Sequence, residues 1–510
     1  MSTDYIKKDR KGTLIYRFQN NNLLRGAFLL TLANAFTRII GFIYQIYLVR
    51  QLGAEGIGVY QLMAPLVMIV ISLIATGLPV AVARYAPLYG QEGKSVLKSG
   101  SKLALMVSLP VSVGILAFAS PIAALIGDMR IAGPLRLYSL LPPLIALNAV
   151  TKNWHLGRGR VMPSVIGELT EQLIRVGTIL TLLPLLITAQ TDYSKTSGLI
   201  VLCSLIGEAA GLLSVYISGF FYKKKAASSS SFSARRTEDV SQELIKTAVP
   251  ITLTRLLTGS LSSVNALLIP KLLVVAGLTM AAATSEYGLL IGMAMPLAFI
   301  PSTVSMALTR VLMPRVSKLQ DDGNYKEISR NLSSSYQFVV PFCCFFTALF
   351  LTLSSPICSL VYHQVRAGEI LSIFCLTILP MNIDRILGST MNGLGMQNRN
   401  AVFATLGGAL QMLLTIMLVP KIGINAYAVS ILAAVTMELS LRIYSVKGLG
   451  ISLGLKRPLI GSLFLTIIFA FINSYIFKML PFGEMINILA MLILNALAFG
   501  LCILLLRKSK

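Results

Sequence analysis

The chain has few of the residues that build catalytic and metal sites. Its 510 residues include two histidines, one tryptophan and 20 acidic residues. His155 and His363 lie near predicted loops, and no carboxylate pair or Ser-His-Asp set shares one predicted pocket. Nucleotide-binding glycine loops are missing, and the six cysteines lack metal-ligand spacing. We therefore expect no enzyme activity, no cofactor and no metal site, and we interpret the cysteines as core thiols.

Charge is scarce beside the apolar residues. Only 13% of the residues are charged, 55% are hydrophobic, and the mean hydropathy is +0.76. Apolar runs recur from Leu29 to Leu506, each close to the roughly 20 residues that a helix needs to cross a bilayer. The runs lack the alternation of barrel strands, which favours helices. We predict an all-α, polytopic membrane protein with about 14 transmembrane helices.

Charged residues and Gly/Pro punctuation divide the chain into apolar spans. The predicted spans are 27–49, 60–83, 102–127, 132–153, 164–188, 198–222, 247–273, 286–311, 332–361, 367–390, 400–420, 424–445, 458–480 and 485–506. The predicted domains are a tail 1–26, a first lobe 27–222, a loop 223–246, a second lobe 247–445 and two further helices in 446–510. Each lobe thus contains six of the spans.

An internal repeat relates the two predicted lobes. The run Ser120-Pro-Ile-Ala-Ala-Leu matches Ser355-Pro-Ile-Cys-Ser-Leu at a shift of 235 positions, and Gly157 matches Gly393 at 236. Because each lobe has an even number of spans, both are expected to have the same orientation. Two parallel six-helix bundles of this kind typically enclose a central transport site.

The net charge of +24 is concentrated in alternate loops rather than on one face. The basic loops and ends are Lys7 to Arg25, Lys94 to Lys102, Lys223 to Arg236, Arg315 to Arg330 and Arg507 to Lys510. The positive-inside rule places these segments, and both termini, in the cytoplasm. We expect them to contact membrane lipids and no nucleic acid.

Three arginines lie inside predicted spans. Arg38, Arg175 and Arg255 are about 8 to 12 residues from the cytoplasmic ends of their spans, or about 12–18 Å deep. Asn34 shares a helix face with Arg38, and Glu171 precedes Arg175 in the favoured i,i+4 ion-pair order. Because charge is costly at this depth, we predict a central cationic cavity formed by these five residues. The pair Glu171–Arg175 has structural neutralisation as its alternative role.

Two basic residues lie at the outer ends of spans. Arg50 and Lys271 are 221 positions apart, a shift that also aligns the starts of the two lobes. They form a possible outer basic pair for substrate. Snorkelling of both side chains to the membrane interface explains them equally well.

Four further charged residues are assigned structural roles. Glu208 and Glu438 lie deep in their spans, where each is positioned to neutralise an arginine. The pair Asp384-Arg385 precedes Asn392-Gly-Leu-Gly395, which predicts a helix end and turn. None of these four is predicted to bind substrate.

Several motifs resemble one family in order and spacing. They are Thr37-Arg38-Ile-Ile-Gly-Phe42, Arg50 to Tyr60, Gly77 to Arg84, Glu171 to Arg175, and Tyr287 to Arg315. Together with the predicted spans, they resemble the oligosaccharidyl-lipid flippase branch of the multidrug and polysaccharide exporter superfamily. The similarity extends through nearly the whole chain.

The resemblance implies the flipping of an undecaprenyl-pyrophosphate-linked sugar, such as lipid II or a related polysaccharide intermediate, across a bacterial cell membrane. It also implies a role in spore cortex peptidoglycan synthesis. Arg38 matches the first-span arginine of the lipid II flippases, whereas Ile43-Tyr44-Gln45 stands where those relatives often carry a second arginine. The alternatives are a cation-coupled multidrug exporter on the same fold and a membrane-embedded transferase. A coupling ion is left unassigned.

Overall fold

The computed structural model describes residues 5–89, 93–186, 192–221, 238–479 and 484–508. Within these ranges the regular secondary structure is helical throughout, without a strand. Eleven of the described helices are long and apolar enough to cross a membrane, or up to twelve if one bent pair is a single span. The predictions of an all-α fold and a polytopic membrane protein are therefore confirmed, while the number of about 14 spans stays a prediction.

The described chain divides into two compact units. The first contains the chain up to Gln45 together with Leu66–Gly259, and the second contains Ile46–Pro65 and the chain from Ser260 onward. Helix α1 (Tyr5–Gln61) therefore begins in the first unit and ends in the second, and helix α9 (Glu238–Val275) does the same. The lobe boundaries predicted from the repeat remain predictions.

The first unit is completed by seven shorter helices. These are α2 (Ala64–Ile74), α3 (Gly77–Tyr85), α4 (Gly93–Ile126), α5 (Ala132–Tyr138), α6 (Leu141–Gly157), α7 (Val161–Leu186) and α8 (Tyr193–Phe221). Helix α7 packs along α8, and α6 packs against α4, α7 and α8. These contacts bring α6, α7 and α8 together, and they position the polar residues described below.

Two of the predicted spans in this unit are helical but are not among the eleven. The predicted span 132–153 is broken between α5 and α6 at Ser139-Leu140, because Pro142 and Pro143 occupy the first turn of α6, where their missing N–H groups are tolerated. Helix α7 corresponds to the predicted span 164–188 and carries several ionisable residues.

The second unit contains ten further helices. These are α10 (Met280–Tyr287), α11 (Met295–Ala298), α12 (Ser302–Asp321), α13 (Tyr325–Tyr362), α14 (Val365–Phe374), α15 (Ile378–Gly393), α16 (Gln397–Ile422), α17 (Asn425–Lys447), α18 (Lys456–Met479) and α19 (Glu484–Lys508). The long helix α13 packs against α14, α15, α18 and α19. Phe345 of α13 meets Phe499 of α19 with ring centroids 6.1 Å apart, so aromatic packing fixes the last helix to the core of this unit.

The predicted span 286–311 is bent and interrupted rather than one straight helix. The chain forms a π-helix at Gly288–Ala294, and the segment Met280–Ala298 meets Ser302–Asp321 at an angle of 56°. Pro301 stands at the junction, where it has no N–H to continue the helical hydrogen bonds.

Helices extend into the segments predicted as a loop and a tail. Helix α9 begins at Glu238, so the end of the predicted loop 223–246 is helical, and the basic stretch Lys223 to Arg236 lies outside the described residues. Similarly, the predicted tail 1–26 is helical from Tyr5 onward.

All six cysteines are free thiols, and five of them are buried.

Candidate functional site

A polar network joins three membrane helices of the first unit. The Nζ of Lys152 on α6 lies 2.8 Å from Oε2 of Glu171 on α7, and Arg175 pairs with the other oxygen of the same carboxylate. Nδ2 of Asn148 donates to Oε2 of Glu208 on α8 at 2.6 Å, and it lies 3.4 Å from Glu171 Oε2. Two carboxylates and two cations therefore balance at the centre of this three-helix contact.

Small residues allow the helices of this network to approach one another. A Cβ atom placed on Gly211 of α8 would lie only 2.8 Å from Cβ of Glu171, and one on Gly207 would lie 2.9 Å from the Glu171 carbonyl oxygen. Such spacing is typical of tightly packed membrane helices, where glycine lets two backbones come close. Because both glycines lack a side chain, α8 packs closely against α7 beside Glu171.

The predicted ion pair Glu171–Arg175 is confirmed, but the structure adds a partner that the sequence did not reveal. Glu171 is shared between Arg175, one turn along its own helix, and Lys152 on a neighbouring helix. Loss of Arg175 therefore leaves Glu171 with a cation.

Helix α1, which carries Asn34 and Arg38, approaches α7 at the residue after Glu171. Gly41 follows Arg38 by three residues, and a Cβ at Gly41 would lie 3.6 Å from Nε2 of Gln172, the residue after Glu171. Helix α1 thus packs next to the face of α7 that carries Gln172. Arg38 is exposed and Asn34 is half-buried.

Arg255 lies near a different helix. A Cβ at Gly259, one turn after Arg255, would lie 3.5 Å from Oγ of Ser72 on α2. Arg255 is itself exposed. Glu171 thus pairs with Arg175, and α1 lies beside Gln172, whereas the helix that carries Arg255 contacts α2. The single cavity of five residues stays a prediction.

Arg50 has a clear structural role. Its Nε donates to the carbonyl oxygen of Val361 at 2.7 Å, and its Nη2 donates to that of Leu360 at 2.6 Å. These carbonyls belong to the last turn of α13, where backbone acceptors lack helical partners and the helix dipole favours a cation. Lys271 is half-buried on α9. A substrate role for the pair Arg50 and Lys271 stays a prediction from their repeat positions.

A second network lies among α15, α16 and α17 of the second unit. Arg442 is only 5% exposed and forms ion pairs with Asp384 and, at 3.0 Å, with Glu438. Its Nε donates to Oδ1 of Asn400 at 2.8 Å, and Asn400 in turn donates from Nδ2 to Oδ1 of Asn392 at 2.9 Å. One cation between two carboxylates thus connects three helices.

The helix end and turn predicted at Asn392 to Gly395 is present, because α15 ends at Gly393, but the pair Asp384-Arg385 lies ahead of that end. Asp384 lies in the interior of α15, is 9% exposed, and ion-pairs with Arg442 on α17. The i,i+4 order of Glu438 and Arg442 was readable in the sequence and indicates one half of this network. Sequence reasoning missed four residues of the two networks, namely Asn148, Lys152, Asn400 and Arg442.

The second network forms one wall of a cavity of about 500 Å³. The cavity is lined mainly by polar residues of α12, α15, α16 and α17. Among the described residues, no group of three or more His, Cys, Asp or Glu side chains is placed to hold a metal ion. The chemistry available at both networks is therefore that of guanidinium, ammonium, carboxylate and amide groups.

Comparison with known proteins gives a consistent result. A family model described as polysaccharide biosynthesis protein matches residues 23–320. Stage V sporulation protein B of Bacillus subtilis (strain 168) is 24% identical over 502 residues, which cover 96% of each chain. Lipid II flippase MurJ of the same strain is 21% identical over 430 residues, 78% of each chain. The solved inward closed structure of lipid II flippase MurJ has a TM-score of 0.67 at 17% identity, covering 93% of this chain and 98% of that one.

Proposed function

Because the chain belongs to the polysaccharide biosynthesis protein family, we propose that it is a flippase for an undecaprenyl-pyrophosphate-linked cell-wall precursor. The substrate is lipid II or a related polysaccharide intermediate, and it moves from the inner to the outer leaflet of a bacterial cell membrane. The sequence match to lipid II flippase MurJ of Bacillus subtilis supports this proposal. The match to stage V sporulation protein B supports a role in spore cortex peptidoglycan synthesis. The chain acts as a transporter and not as an enzyme.

The observation that carries the proposal is the presence of cationic side chains inside apolar helices of the matched region. Arg38, Lys152 and Arg175 all lie within residues 23–320, on helices α1, α6 and α7. A pyrophosphate crossing the hydrocarbon core unaided would face a desolvation penalty on the order of tens of kcal/mol. Fixed guanidinium and ammonium groups replace much of the lost hydration, and a guanidinium binds phosphate oxygens with two hydrogen bonds.

Transport then proceeds by alternating access of the two lobes. The headgroup moves through a hydrated cationic cavity while the lipid tail stays in the bilayer. With both termini in the cytoplasm, an inside-negative potential favours outward movement of the anionic headgroup by about 2.3 kcal/mol per charge per 100 mV. This contribution needs no coupling ion.

The direct test uses purified protein in liposomes that contain lipid II with a fluorescent headgroup. We expect the protein to make inner-leaflet lipid accessible to an impermeant quencher, faster than protein-free liposomes do. Export of a dye or drug without lipid transfer would instead establish the multidrug exporter. A change in the mass of the lipid would establish a transferase.

A further inference from the structure

The cavity of the second unit is rich in arginine. Its lining includes Arg310 of α12, Arg385 of α15 and Arg442 of α17, together with the single acidic residue Asp384. Its volume of about 500 Å³ is within the usual range of ligand pockets. A cavity of this size and composition at membrane depth requires an explanation, because buried positive charge is unfavourable unless it is paired or hydrated.

The positive charges of this cavity are not equally neutralised. Arg442 is held between Asp384 and Glu438, so its charge is fully compensated. Arg310, by contrast, forms no salt bridge with any acidic side chain in the described part of the chain, and its side chain is exposed at the cavity wall. Arg310 lies in the middle of α12, whose bounds are Ser302 and Asp321. The wall therefore presents a guanidinium whose natural partner is an oxyanion.

The polar groups around Arg310 are held in place by the fold. Oγ of Ser389 on α15 donates to the carbonyl oxygen of Thr309 at 3.2 Å, which links α15 to the residue preceding Arg310. On the opposite side, Asn400 is fixed by Asn392 and Arg442. Hydroxyl and amide groups beside a guanidinium match the hydroxyls and acidic group of a charged sugar.

The cavity lies toward the end of the unit predicted to face the cytoplasm. Helices α12, α15 and α17 end on that side and α16 begins there, according to the predicted topology. Asn400 is three residues from the start of α16, and Arg442 is five residues from the end of α17. A ligand would therefore enter from the cytoplasm, where a precursor is loaded.

We propose that this cavity is a binding site for an acidic saccharide, in which Arg310 binds an oxyanion of the ligand and the Asn392–Asn400 wall contacts its hydroxyls. The saccharide part of this inference rests on the proposed function, whereas the oxyanion part rests on the cavity alone. The oxyanion is either a sugar carboxylate or a phosphate, and the two sources are separated by experiment.

The test measures binding of soluble ligands to the full chain in lipid nanodiscs by titration calorimetry. The ligands are cellobiouronic acid, its neutral counterpart cellobiose, and inorganic pyrophosphate. We expect the acidic disaccharide to bind more tightly than cellobiose, and we expect Arg310→Gln to weaken its binding at least about tenfold. Arg310→Lys should recover part of the loss, since it keeps the charge without the planar fork.

Arg315→Gln is the matched control, because Arg315 lies on the same helix but is exposed and paired with Glu327 at 3.6 Å. If pyrophosphate alone binds and depends on Arg310, the oxyanion site stands and phosphate is its source. Equal binding of the acidic and neutral disaccharides together with no Arg310-dependent binding of pyrophosphate, or an equal loss in Arg315→Gln, overturns the proposal. Lipid transfer that persists without such binding refutes this site only, whereas binding without lipid transfer refutes the proposed function only.

Discussion

Each unit contains a buried polar network, and the predicted repeat aligns one residue of the first network with one of the second. The first network has a carboxylate between two cations, whereas the second has a cation between two carboxylates. Asn148 and Asp384 are 236 positions apart, the same shift that relates Gly157 to Gly393. Each makes a link to a later helix of its own unit, Asn148 to Glu208 and Asp384 to Arg442. Under the predicted repeat, the two polar links have the same position in their units, whereas the acid lies on a different helix in each.

The difference also affects how each network is balanced. In the first unit two cations flank Glu171, so the carboxylate keeps one partner when the other is lost. In the second unit Arg442 is shared by two carboxylates, so the loss of this one residue affects both. We infer that the first network tolerates the loss of either cation and that the second does not tolerate the loss of Arg442. The following predictions test this contrast and separate it from substrate binding.

Arg38→Ala is expected to have the largest effect, a complete loss of lipid transfer with normal accumulation of the protein. Arg38 is exposed on α1, so its replacement by alanine leaves no cavity in the protein core. Arg38→Lys should restore only part of the activity. Normal transfer by a well-expressed Arg38→Ala variant would remove Arg38 from the substrate site, while leaving the fold as described.

Arg442→Ala should lower the free energy of unfolding by about 3–5 kcal/mol, because it leaves two buried carboxylates without their cation. Thermal unfolding of the purified protein in detergent measures this loss. The control replaces Arg442, Asp384 and Glu438 together by leucine, which removes all three charges and should recover most of the stability. An Arg442→Ala variant as stable as the parent would show that the second network carries little energy.

Asn148→Asp tests whether the two networks are interchangeable. The new carboxylate would stand where the amide donates to Glu208 at 2.6 Å, so we expect a loss of about 1–3 kcal/mol in unfolding free energy. Adding Glu208→Arg reproduces the acid–arginine arrangement of the second unit and should recover most of that loss. If the double variant is no more stable than Asn148→Asp alone, the correspondence between the two networks is one of position only.

Arg175→Ala is expected to have the smallest effect, about 1 kcal/mol or less, because Lys152 still neutralises Glu171. Lys152→Ala alone should behave similarly. The double variant should lose clearly more than the sum of the two, and a double-mutant cycle on unfolding free energies measures that excess. Additive losses would mean that the two cations act independently and that Glu171 is not shared.

Ion pairs within one helix were predictable from the sequence, because residues four apart lie on the same helix face. Glu171 and Arg175 share a face at i,i+4, and the structure pairs them. Glu438 and Arg442 have the same spacing and the same outcome. By contrast, Lys152 and Glu171 are 19 residues apart on different helices, and Asp384 and Arg442 are 58 apart. No periodicity links such residues, because their contact depends on how the helices pack.

The sequence by itself determined the membrane environment, the helical class and the family. Apolar runs about as long as the bilayer is thick allow no other backbone solution than a helix, and the motifs are read along the chain without reference to neighbours. Only the tertiary structure decided which charged groups meet, where the span 286–311 breaks, and that Asp384 lies beside a cavity. Charge pairing between helices depends on the rotation and the axial register of each helix. Packing at small residues sets both, because an added methyl group at a position such as Gly211 would clash with Glu171 on the neighbouring helix.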